Sequence, residues 1–407
     1  SYVDHSVRTA YLALKLAEEE GMEETMKRRF VFASYFHDIG SIGKPDSYLL
    51  SHDYDILHSV DGYLLMKYKS PLKEYARMLL FHHVAYNREY DDEMADFGVK
   101  IAIVDRFDDW ERHKLPFDEV TSYIESQSGT AFDPKDVDAL LKVLDHTDVR
   151  YDIRSGRYHD VLNDYIASLS FDEGQLEGYV VMLSSLFELY NGTTYNHSKT
   201  VAVTAYLLAS LMGYGDDDCF KMYLAGLVHD LGKIKIPLSI LDKPGKLTPE
   251  ETAIMRKHIV YSREMSIDIL PREIVNIATY HHERLDGTGY PNHLKAIEMT
   301  EPEEIMQVAD VLSALLARRS YKEEYPYEKV KEILLNEAQA GKLSKPVIDT
   351  FIENHEIVWK EANEVIREGY DEAMKISSQR EELIAAIKAR RAHLESMPLS
   401  NFIDKQA

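Results

Sequence analysis

Apolar residues recur along most of the chain at the spacing of helices that bury one face. In the stretch HSKTVAVTAYLLASLMG, the residues Val201, Ala205, Leu208 and Met212 fall close to a period of 3.6. Runs that alternate polar and apolar residues, as half-buried strands do, are scarce. The pattern therefore predicts an all-α protein.

The segment 247–270 begins with residues typical of a helix N-terminus. Thr248 suits an N-cap, Pro249 suits a first helical turn, and Glu251 is placed to complete a capping box. We therefore expect this segment to form a helix that begins at Thr248 and carries His258.

Breaks in the helical pattern suggest where the domains divide. The stretch 145–160 is charged and has no long apolar stripe, so we expect the inter-domain connection there. Residues 377–397 read as a charged helix with a thin apolar stripe, which is typical of docking or oligomerisation and makes a homodimer through this helix a hypothesis. The predicted architecture is two tandem helical domains, 1–160 and 161–365, with a helical extension over 366–407.

Composition narrows the classes of function. A length of 407 residues accommodates two or three domains, and a net charge of −23 argues against binding a nucleic-acid polymer. Cys219 is the single cysteine, which excludes an internal disulfide and a multi-cysteine zinc site and fits a reducing, cytoplasmic compartment. No apolar run approaches the roughly 20 residues that span a bilayer. Because the chain starts within a helical pattern, we expect it to be a piece of a longer protein.

The second half concentrates histidines and acids at predicted helices or helix ends. Singly, each has an ordinary structural explanation, but together they offer the ligands that borderline divalent metals such as iron, manganese or zinc prefer. The set is His197, His229, Asp230, His258, His281, His282 and Asp310.

The adjacent pair His229-Asp230 adds a specific possibility. Neighbours on a helix point about 100° apart, so the imidazole can bind one metal while the carboxylate bridges to a second. A pair of metals held in this way can activate water and clamp a phosphate for in-line attack.

The order of these motifs resembles the HD-GYP subgroup of the HD-domain metal-dependent phosphohydrolases. The resemblance covers about 197–335 and rests on HDLGKIKIP, LDKPGKLTPEE, KH, HHERLDGTGYP and ADVLSALLARRSYK. It implies an all-helical domain with a two- or three-metal centre that hydrolyses cyclic dinucleotides, chiefly cyclic di-GMP to a linear dinucleotide and then GMP. The mixed cyclic GMP-AMP is the alternative substrate, and a low-turnover receptor or a mononucleotide phosphatase are alternative functions.

The resemblance also assigns roles to residues. It implies that the seven residues above bind the metals, with iron or manganese first and zinc, nickel or magnesium as alternatives. Thr193 stands where relatives with a third metal carry glutamate, so we expect two metals. Asp230 and Lys233 are the implied catalytic residues, and the implied substrate-binding residues are Lys233, Arg319, Lys322, Gly289, Tyr290 and Pro291.

The loop HHERLDGTGYP is expected to hold its neighbours beside the metals. Gly287 and Gly289 would permit positive φ, and Pro291 would stiffen the turn. Glu283 and Asp286 either orient the histidines or are simply solvated. Elsewhere in the chain, Asp4 and Asp61 are expected to be surface acids.

The first half repeats the pattern, which indicates duplication of a whole domain. His5 precedes the His37-Asp38 pair by the same number of residues as His197 precedes His229-Asp230. The corresponding candidate metal ligands are His5, His37, Asp38, His58, His82, His83 and Asp105.

The first half nevertheless departs from the signature. HHVAYNREYDD replaces the Gly-Tyr-Pro loop, Ser41 replaces Lys233, and nothing after Asp105 resembles ARRSYK. Three interpretations stay open: a metal-bound structural or regulatory partner, a hydrolase of another phosphoester, and an empty scaffold.

Overall fold

The computed structural model describes residues 2–42, 44, 51, 53–86, 94–112, 116–171, 173–191, 196–316 and 325–395. In these ranges the regular structure is helical and contains no β-strand. Two isolated bridges join Ser128 to Phe132 and Asp286 to Lys295. The all-α prediction is confirmed.

The first of two compact units comprises residues 1–42 and 46–172 together with the last helix from Ser377 onward. Short 3₁₀ turns at Ile39–Ser41 and Lys73–Tyr75 connect some of its helices. Its helices are α1 Tyr2–Glu19, α2 Glu24–Tyr35, α3 Tyr54–Lys69, α4 Met78–Phe81, α5 Ala95–Arg112, α6 Phe117–Ser126, α7 Pro134–Asp145, α8 Thr147–Ser155 and α9 Tyr158–Ser168.

The second unit runs from Glu173 to Ile376. It includes the 3₁₀ turns Leu231–Lys235 and Ala296–Glu298. Its helices are α10 Glu173–Asn191, α11 His197–Leu211, α12 Asp216–Val228, α13 Leu238–Leu241, α14 Pro249–Arg256, α15 His258–Ser266, α16 Arg272–Thr279, α17 Glu301–Leu316, α18 Tyr327–Gln339, α19 Lys345–Glu353 and the first part of α20 His355–Glu395.

The connection expected around 145–160 is instead helical. Val149 of α8 and Tyr158 and Leu162 of α9 are buried, and α9 packs against α1. These three apolar residues are too widely spaced to form a stripe in the sequence, yet they bury once the helices pack. The compact units therefore divide after residue 172 rather than after residue 160.

Helix α11 confirms the predicted apolar face in the second unit. Val201, Ala205 and Leu208 are fully buried in the core, and Met212 packs against it while partly exposed. The predicted capping box of Thr248 and Glu251 is also present.

The helix expected over 247–270 is divided in two, α14 and α15. The Lys257 amide bonds to the Ile254 carbonyl three residues back, so the helix tightens between them. His258 consequently opens a helix of its own.

Helix α20 contributes to both units rather than forming a separate extension. Val358 and Ala362 lie in the core of the second unit. Farther along, Arg380 binds Asp61 of α3 in the first unit, with Nε 2.5 Å from Oδ1. The expectation that Asp61 is a surface acid is wrong, because its residue is 5% exposed and its charge is paired. No helix in the described ranges is long and apolar enough to cross a bilayer.

Candidate metal centres

The His229-Asp230 pair lies where a helix changes into a tight turn. Helix α12 ends at Val228, and the 3₁₀ turn Leu231–Lys235 follows the pair at once. His229 is 0% and Asp230 2% exposed. A Cβ on Gly232 would lie 2.1 Å from the His258 carbonyl oxygen, so only glycine lets this turn rest on the start of α15.

The two carboxylate oxygens of Asp230 face different histidines. Oδ2 lies 3.2 Å from Nε2 of His229 and 3.8 Å from Nε2 of His197. Oδ1 lies 3.3 Å from Nε2 of His258 and 3.9 Å from Nε2 of His281. Asp230 is therefore placed to bridge two neighbouring ligand groups.

Asp310 and His282 complete this arrangement. Oδ1 of Asp310 lies 3.4 Å from Nε2 of His197 and 3.8 Å from Nε2 of His229. His282 offers a ligand atom within 4.8 Å of those of His258 and His281. The structure thus brings together every predicted ligand of the second half, and we call the following set the second-unit centre: His197, His229, Asp230, His258, His281, His282 and Asp310.

The histidines of this centre are oriented by backbone carbonyls. Nδ1 of His229, His258 and His281 lies 2.7 Å from the carbonyl oxygens of Gly226, Met255 and Ala278, respectively. A carbonyl only accepts, so Nδ1 carries the proton and Nε2 keeps its lone pair. The three Nε2 atoms and Oδ1 of Asp230 are buried without a hydrogen-bond partner. Such unpaired buried acceptors fit metal ligation.

The pKa values of most groups in this centre favour the deprotonated forms that bind cations. Burial lowers the pKa of His282 to about 3 and, together with the neighbouring His282, holds the pKa of His281 well below its usual range. Burial would raise the pKa of Asp230, but His229 and Lys233 outweigh it and hold that pKa far below normal. Burial opposes charge on His229 too, yet Asp230 raises its pKa. A bound metal and a proton on His229 would therefore compete for the same carboxylates.

Two predicted substrate-binding residues lie against the centre. The Lys233 ammonium group forms an ion pair with Asp230. The Tyr290 ring stacks on the His282 ring at a centroid distance of 4.8 Å. The guanidinium carbon of Arg256 lies 4.6 Å from the same tyrosine centroid. Sequence reasoning missed Arg256, although its place two residues before His258 was an available signal.

The Gly-Tyr-Pro loop is held differently from the expectation. Gly287 has φ +81° as predicted, but Gly289 does not have positive φ. Gly289 is required for close approach, because a Cβ there would lie 2.3 Å from the Arg284 nitrogen. Glu283 is fully buried and accepts the backbone N–H groups of Asn292 and Leu294 at 2.7 and 3.0 Å. It therefore anchors the loop and is not solvated. Thr193, Arg319 and Lys322 lie outside the described residues.

An equivalent centre lies in the first unit. Nε2 of His5 and of His37 lies 3.1 and 3.4 Å from Oδ1 of Asp105. Oδ1 of Asp38 lies 3.3 Å from Nε2 of His58. The structure brings the predicted residues together, and we call them the first-unit centre: His5, His37, Asp38, His58, His82, His83 and Asp105.

The same backbone contacts shape both centres. Nδ1 of His37 and of His82 lies 2.7 Å from the carbonyl oxygens of Ser34 and Leu79. A Cβ on Gly40 would lie 2.1 Å from the His58 carbonyl oxygen, just as a Cβ on Gly232 would lie 2.1 Å from the His258 carbonyl oxygen. This shared contact identifies equivalent positions in the two units and makes His58 the counterpart of His258.

The two centres differ around their bridging carboxylates. Ser41 stands at the position of Lys233 and donates to the Asp38 backbone carbonyl at 2.7 Å, so this position supplies no cation to the Asp38 side chain. The Asp38 side chain is 16% exposed and that of Asp230 is 2% exposed. The first-unit centre is therefore the more open at its bridging residue.

A buried acid supports the first-unit centre alone. Nδ1 of His5 lies 2.6 Å from Oδ2 of Asp108, whose Oδ1 also binds Nε of Arg8 at 2.5 Å. Burial opposes a charge on His5, but Asp105 and Asp108 raise its pKa to about 10. Ser313 stands at the position of Asp108 relative to the last ligand of the second-unit centre.

Comparison with known proteins finds the same family twice in this chain. Models of the HD domain match residues 2–110 and 181–343. The 3′3′-cGAMP-specific phosphodiesterase 1 of Vibrio cholerae is 29% identical over 378 residues, which cover 86% of this chain and 87% of that protein. The cyclic di-GMP phosphodiesterase of Thermotoga maritima is 38% identical over 198 residues, and the match spans 47% of this chain and about half (51%) of that protein.

A solved structure supports the fold. The crystal structure of a cyclic GMP-AMP-specific phosphodiesterase from Vibrio cholerae aligns with a TM-score of 0.53 and covers 86% of this chain and 92% of its own. At 19% identity this likeness concerns the fold alone. The aligned 86% of this chain includes residues of both helical units.

Proposed function

The chain belongs to the HD-domain family, with two HD domains in tandem, and from that premise we propose that the second domain is a metal-dependent phosphodiesterase of cyclic dinucleotides. One observation carries the proposal: Asp230 directs each of its carboxylate oxygens at a different group of histidines. That arrangement suits two metals that share one carboxylate. The relatives named above act on cyclic dinucleotides, which supplies the substrate class.

The second-unit centre would hold the metals. His197, His229 and Asp310 would serve one ion, the histidines from 258 to 282 would serve the other, and Asp230 would bridge. When bound, such metals make water acidic near neutral pH and neutralise phosphate charge. Iron or manganese is proposed first because nitrogen and carboxylate ligands without thiolate suit both, and zinc, nickel or magnesium are alternatives.

The chain's own residues have distinct proposed roles. Asp230 would fix the position of the two ligand groups and, through them, of the attacking water. Lys233, beside it, would stabilise charge on the phosphoryl oxygens of the substrate. Tyr290, stacked on His282, would form a wall of the substrate site, and Gly289 and Pro291 would set its position. Arg319 and Lys322 are proposed phosphate contacts on the family resemblance alone.

Two substrates are proposed. Cyclic di-GMP is the substrate that the sequence motifs favour, with a linear dinucleotide and then GMP as products. The match to the 3′3′-cGAMP-specific enzyme favours cyclic GMP-AMP, because it extends over both domains, whereas the match to the Thermotoga maritima enzyme covers about half of this chain. A low-turnover receptor is the remaining alternative.

We propose that the first domain also binds metal and acts as a structural or regulatory partner. Its ligand set is complete, and Nε2 of His37 is buried without a hydrogen-bond partner. Ser41 in place of lysine removes a group that would hold a phosphate. A homodimer through α20 remains a proposal, and it would need a face other than the one that Arg380 presents to Asp61. A cytoplasmic location is proposed from the lone free cysteine, Cys219.

The test is hydrolysis of cyclic di-GMP and cyclic GMP-AMP, resolved by chromatography, after loading the protein with ferrous iron or manganese without oxygen. We expect products from the wild type and from His37→Ala/Asp38→Ala, and none from His229→Ala/Asp230→Ala. If neither nucleotide is cut but either binds tightly, the receptor alternative replaces the enzyme. If only the first-domain variant loses activity, the assignment of the active domain is wrong.

A further inference from the structure

Arg256 lies at the edge of the second-unit centre, next to Tyr290. It is the last residue of α14, two positions before His258. It is exposed, and within the described part of the chain its guanidinium group makes no hydrogen bond or ion pair. Its contact is with the Tyr290 ring, whose centroid is 4.6 Å from the guanidinium carbon.

Arg256 is connected to the metal ligands through Tyr290. The same tyrosine ring stacks on His282 with a centroid distance of 4.8 Å. A guanidinium group that rests on an aromatic ring loses part of its freedom in advance, while the N–H groups at its edge stay available. Arg256 therefore presents several oriented donors close to the candidate active site.

The first domain lacks this feature. The contact of Gly40 with His58 is equivalent to that of Gly232 with His258. Ile56, two residues before His58, therefore occupies the position of Arg256. Ile56 is buried, with 6% exposure. The domain without Lys233 thus also lacks a cation here, and the two cations occur together beside one centre.

We propose that Arg256 binds the phosphodiester of a cyclic dinucleotide that is not being cut. This inference rests on the proposed function. A cyclic dinucleotide has two phosphodiesters. The one that is cut would bind beside Asp230 and Lys233. Arg256 and His282 both contact the Tyr290 ring, so Arg256 is one aromatic ring away from the candidate metal ligands, and we assign the remote phosphate to it. A planar guanidinium group suits two parallel hydrogen bonds to phosphate oxygens.

If Arg256 stabilises the end of its helix instead of binding phosphate, the expected result differs. A cation in the last turn of a helix interacts favourably with the helix dipole. Lys257, the next residue, is also exposed but has no contact with Tyr290, so it serves as the matched control. If Arg256 only stabilises the helix end, Arg256→Gln and Lys257→Gln should both lower the melting temperature slightly and leave substrate binding unchanged.

The experiment compares wild type, Arg256→Gln, Arg256→Lys and Lys257→Gln as full chains with equal, measured metal content. Removing charge-assisted hydrogen bonds should raise KM for cyclic di-GMP and cyclic GMP-AMP on the order of ten- to hundredfold in Arg256→Gln, with kcat nearly unchanged. Arg256→Lys should recover part of the loss, and Lys257→Gln should match the wild type. Hydrolysis of bis(p-nitrophenyl) phosphate, which has no second phosphate, should be the same in all four.

Other outcomes overturn the proposal. An unchanged KM, or an equal loss with bis(p-nitrophenyl) phosphate, means that Arg256 does not bind the remote phosphate. A loss restricted to guanine-containing nucleotides, with cyclic di-AMP binding unaffected, would assign Arg256 to a base edge instead. Calorimetric binding separates this from the proposed function: if the wild type cuts no cyclic dinucleotide yet Arg256→Gln weakens its binding, the enzyme proposal fails and the Arg256 site stands.

Discussion

The two candidate metal centres share their histidine and aspartate residues by type but differ in the groups that surround them. Each has five histidines, an aspartate placed between them and a glycine turn that lies against the carbonyl of a helical histidine. Only the second has Lys233 beside its bridging carboxylate and Arg256 at its edge. The difference teaches that the arrangement of candidate ligands does not depend on the cations proposed to bind substrate, because the first unit has that arrangement with Ser41 and Ile56 in their places.

The largest expected effect comes from the bridging carboxylate itself. Asp230→Asn keeps the shape but removes the charge that both ligand groups share, so we expect hydrolysis to fall by more than about 100-fold. Asp38→Asn in the first domain should leave hydrolysis within about twofold of wild type. Steady-state rates with metal content measured on the same samples provide the check. Comparable losses in both variants would mean that the two centres work together in catalysis.

Making the second centre resemble the first should have the next largest effect. Lys233→Ser introduces the residue found at position 41, and we expect activity to drop about 10- to 100-fold through loss of a charge-assisted contact to phosphate. Metal content should not fall, because Lys233 is no ligand and its removal relieves competition for Asp230. Mass spectrometry of bound metal beside the rate measurement tests this. Loss of metal in parallel with activity would show that Lys233 supports the centre rather than the substrate.

Replacing Asp108, the acid that accepts from His5 in the first-unit centre, should change metal affinity alone. Asp108 accepts from Nδ1 of His5, and carboxylates in this position typically improve metal affinity about 10- to 100-fold. In a His229→Ala/Asp230→Ala background, Asp108→Asn should therefore weaken manganese binding by about that factor. Titration calorimetry measures it, and Ser313→Ala in the wild type, at the matching position of the other domain, should leave metal binding unchanged. Equal affinity with and without Asp108 would mean that Asp108 does not support metal binding, and no manganese binding in either variant would leave the first domain an empty scaffold.

The grouping of the candidate metal-binding residues was predictable from the sequence, because most of them lie at or next to helix ends. The pair His229-Asp230 and the pair His281-His282 each follow the end of a helix. The distance from the first histidine to the His-Asp pair, 32 residues, is the same in both halves of the chain. Arg319 and Lys322 are predictions from motif alone, since they lie outside the described residues.

Other features depend on which segments meet, and the sequence does not reveal that. Glu283 anchors a loop through backbone groups nine and eleven residues away, so no side-chain motif marks it. The burial of Asp61 comes from Arg380, more than three hundred residues later. The compact units divide after residue 172 and not near 160, because the few apolar residues of α8 and α9 are buried only when these helices pack against the first unit.

The smallest effect concerns the stability of the first unit, where α20 lies against the helix that bears His58. Arg380 pairs with Asp61 one turn beyond that ligand, through contacts of 2.5 and 3.3 Å. Breaking a buried pair costs about 3–5 kcal/mol, but the Arg380 side chain is 35% exposed, so solvent reduces the cost to about 1–2 kcal/mol.

Arg380→Ala should therefore lower the denaturation midpoint of the first unit and loosen its metal, with the second centre unaffected. Denaturant unfolding of the full chain, followed beside metal release, measures both. Arg367→Ala, on the same helix but exposed and paired only with Glu364, is the control and should change little. If both variants unfold alike and keep their first-domain metal, α20 does not brace the first centre. If Arg380→Ala also slows hydrolysis while metal in the second domain is intact, the helix transmits the state of one centre to the other.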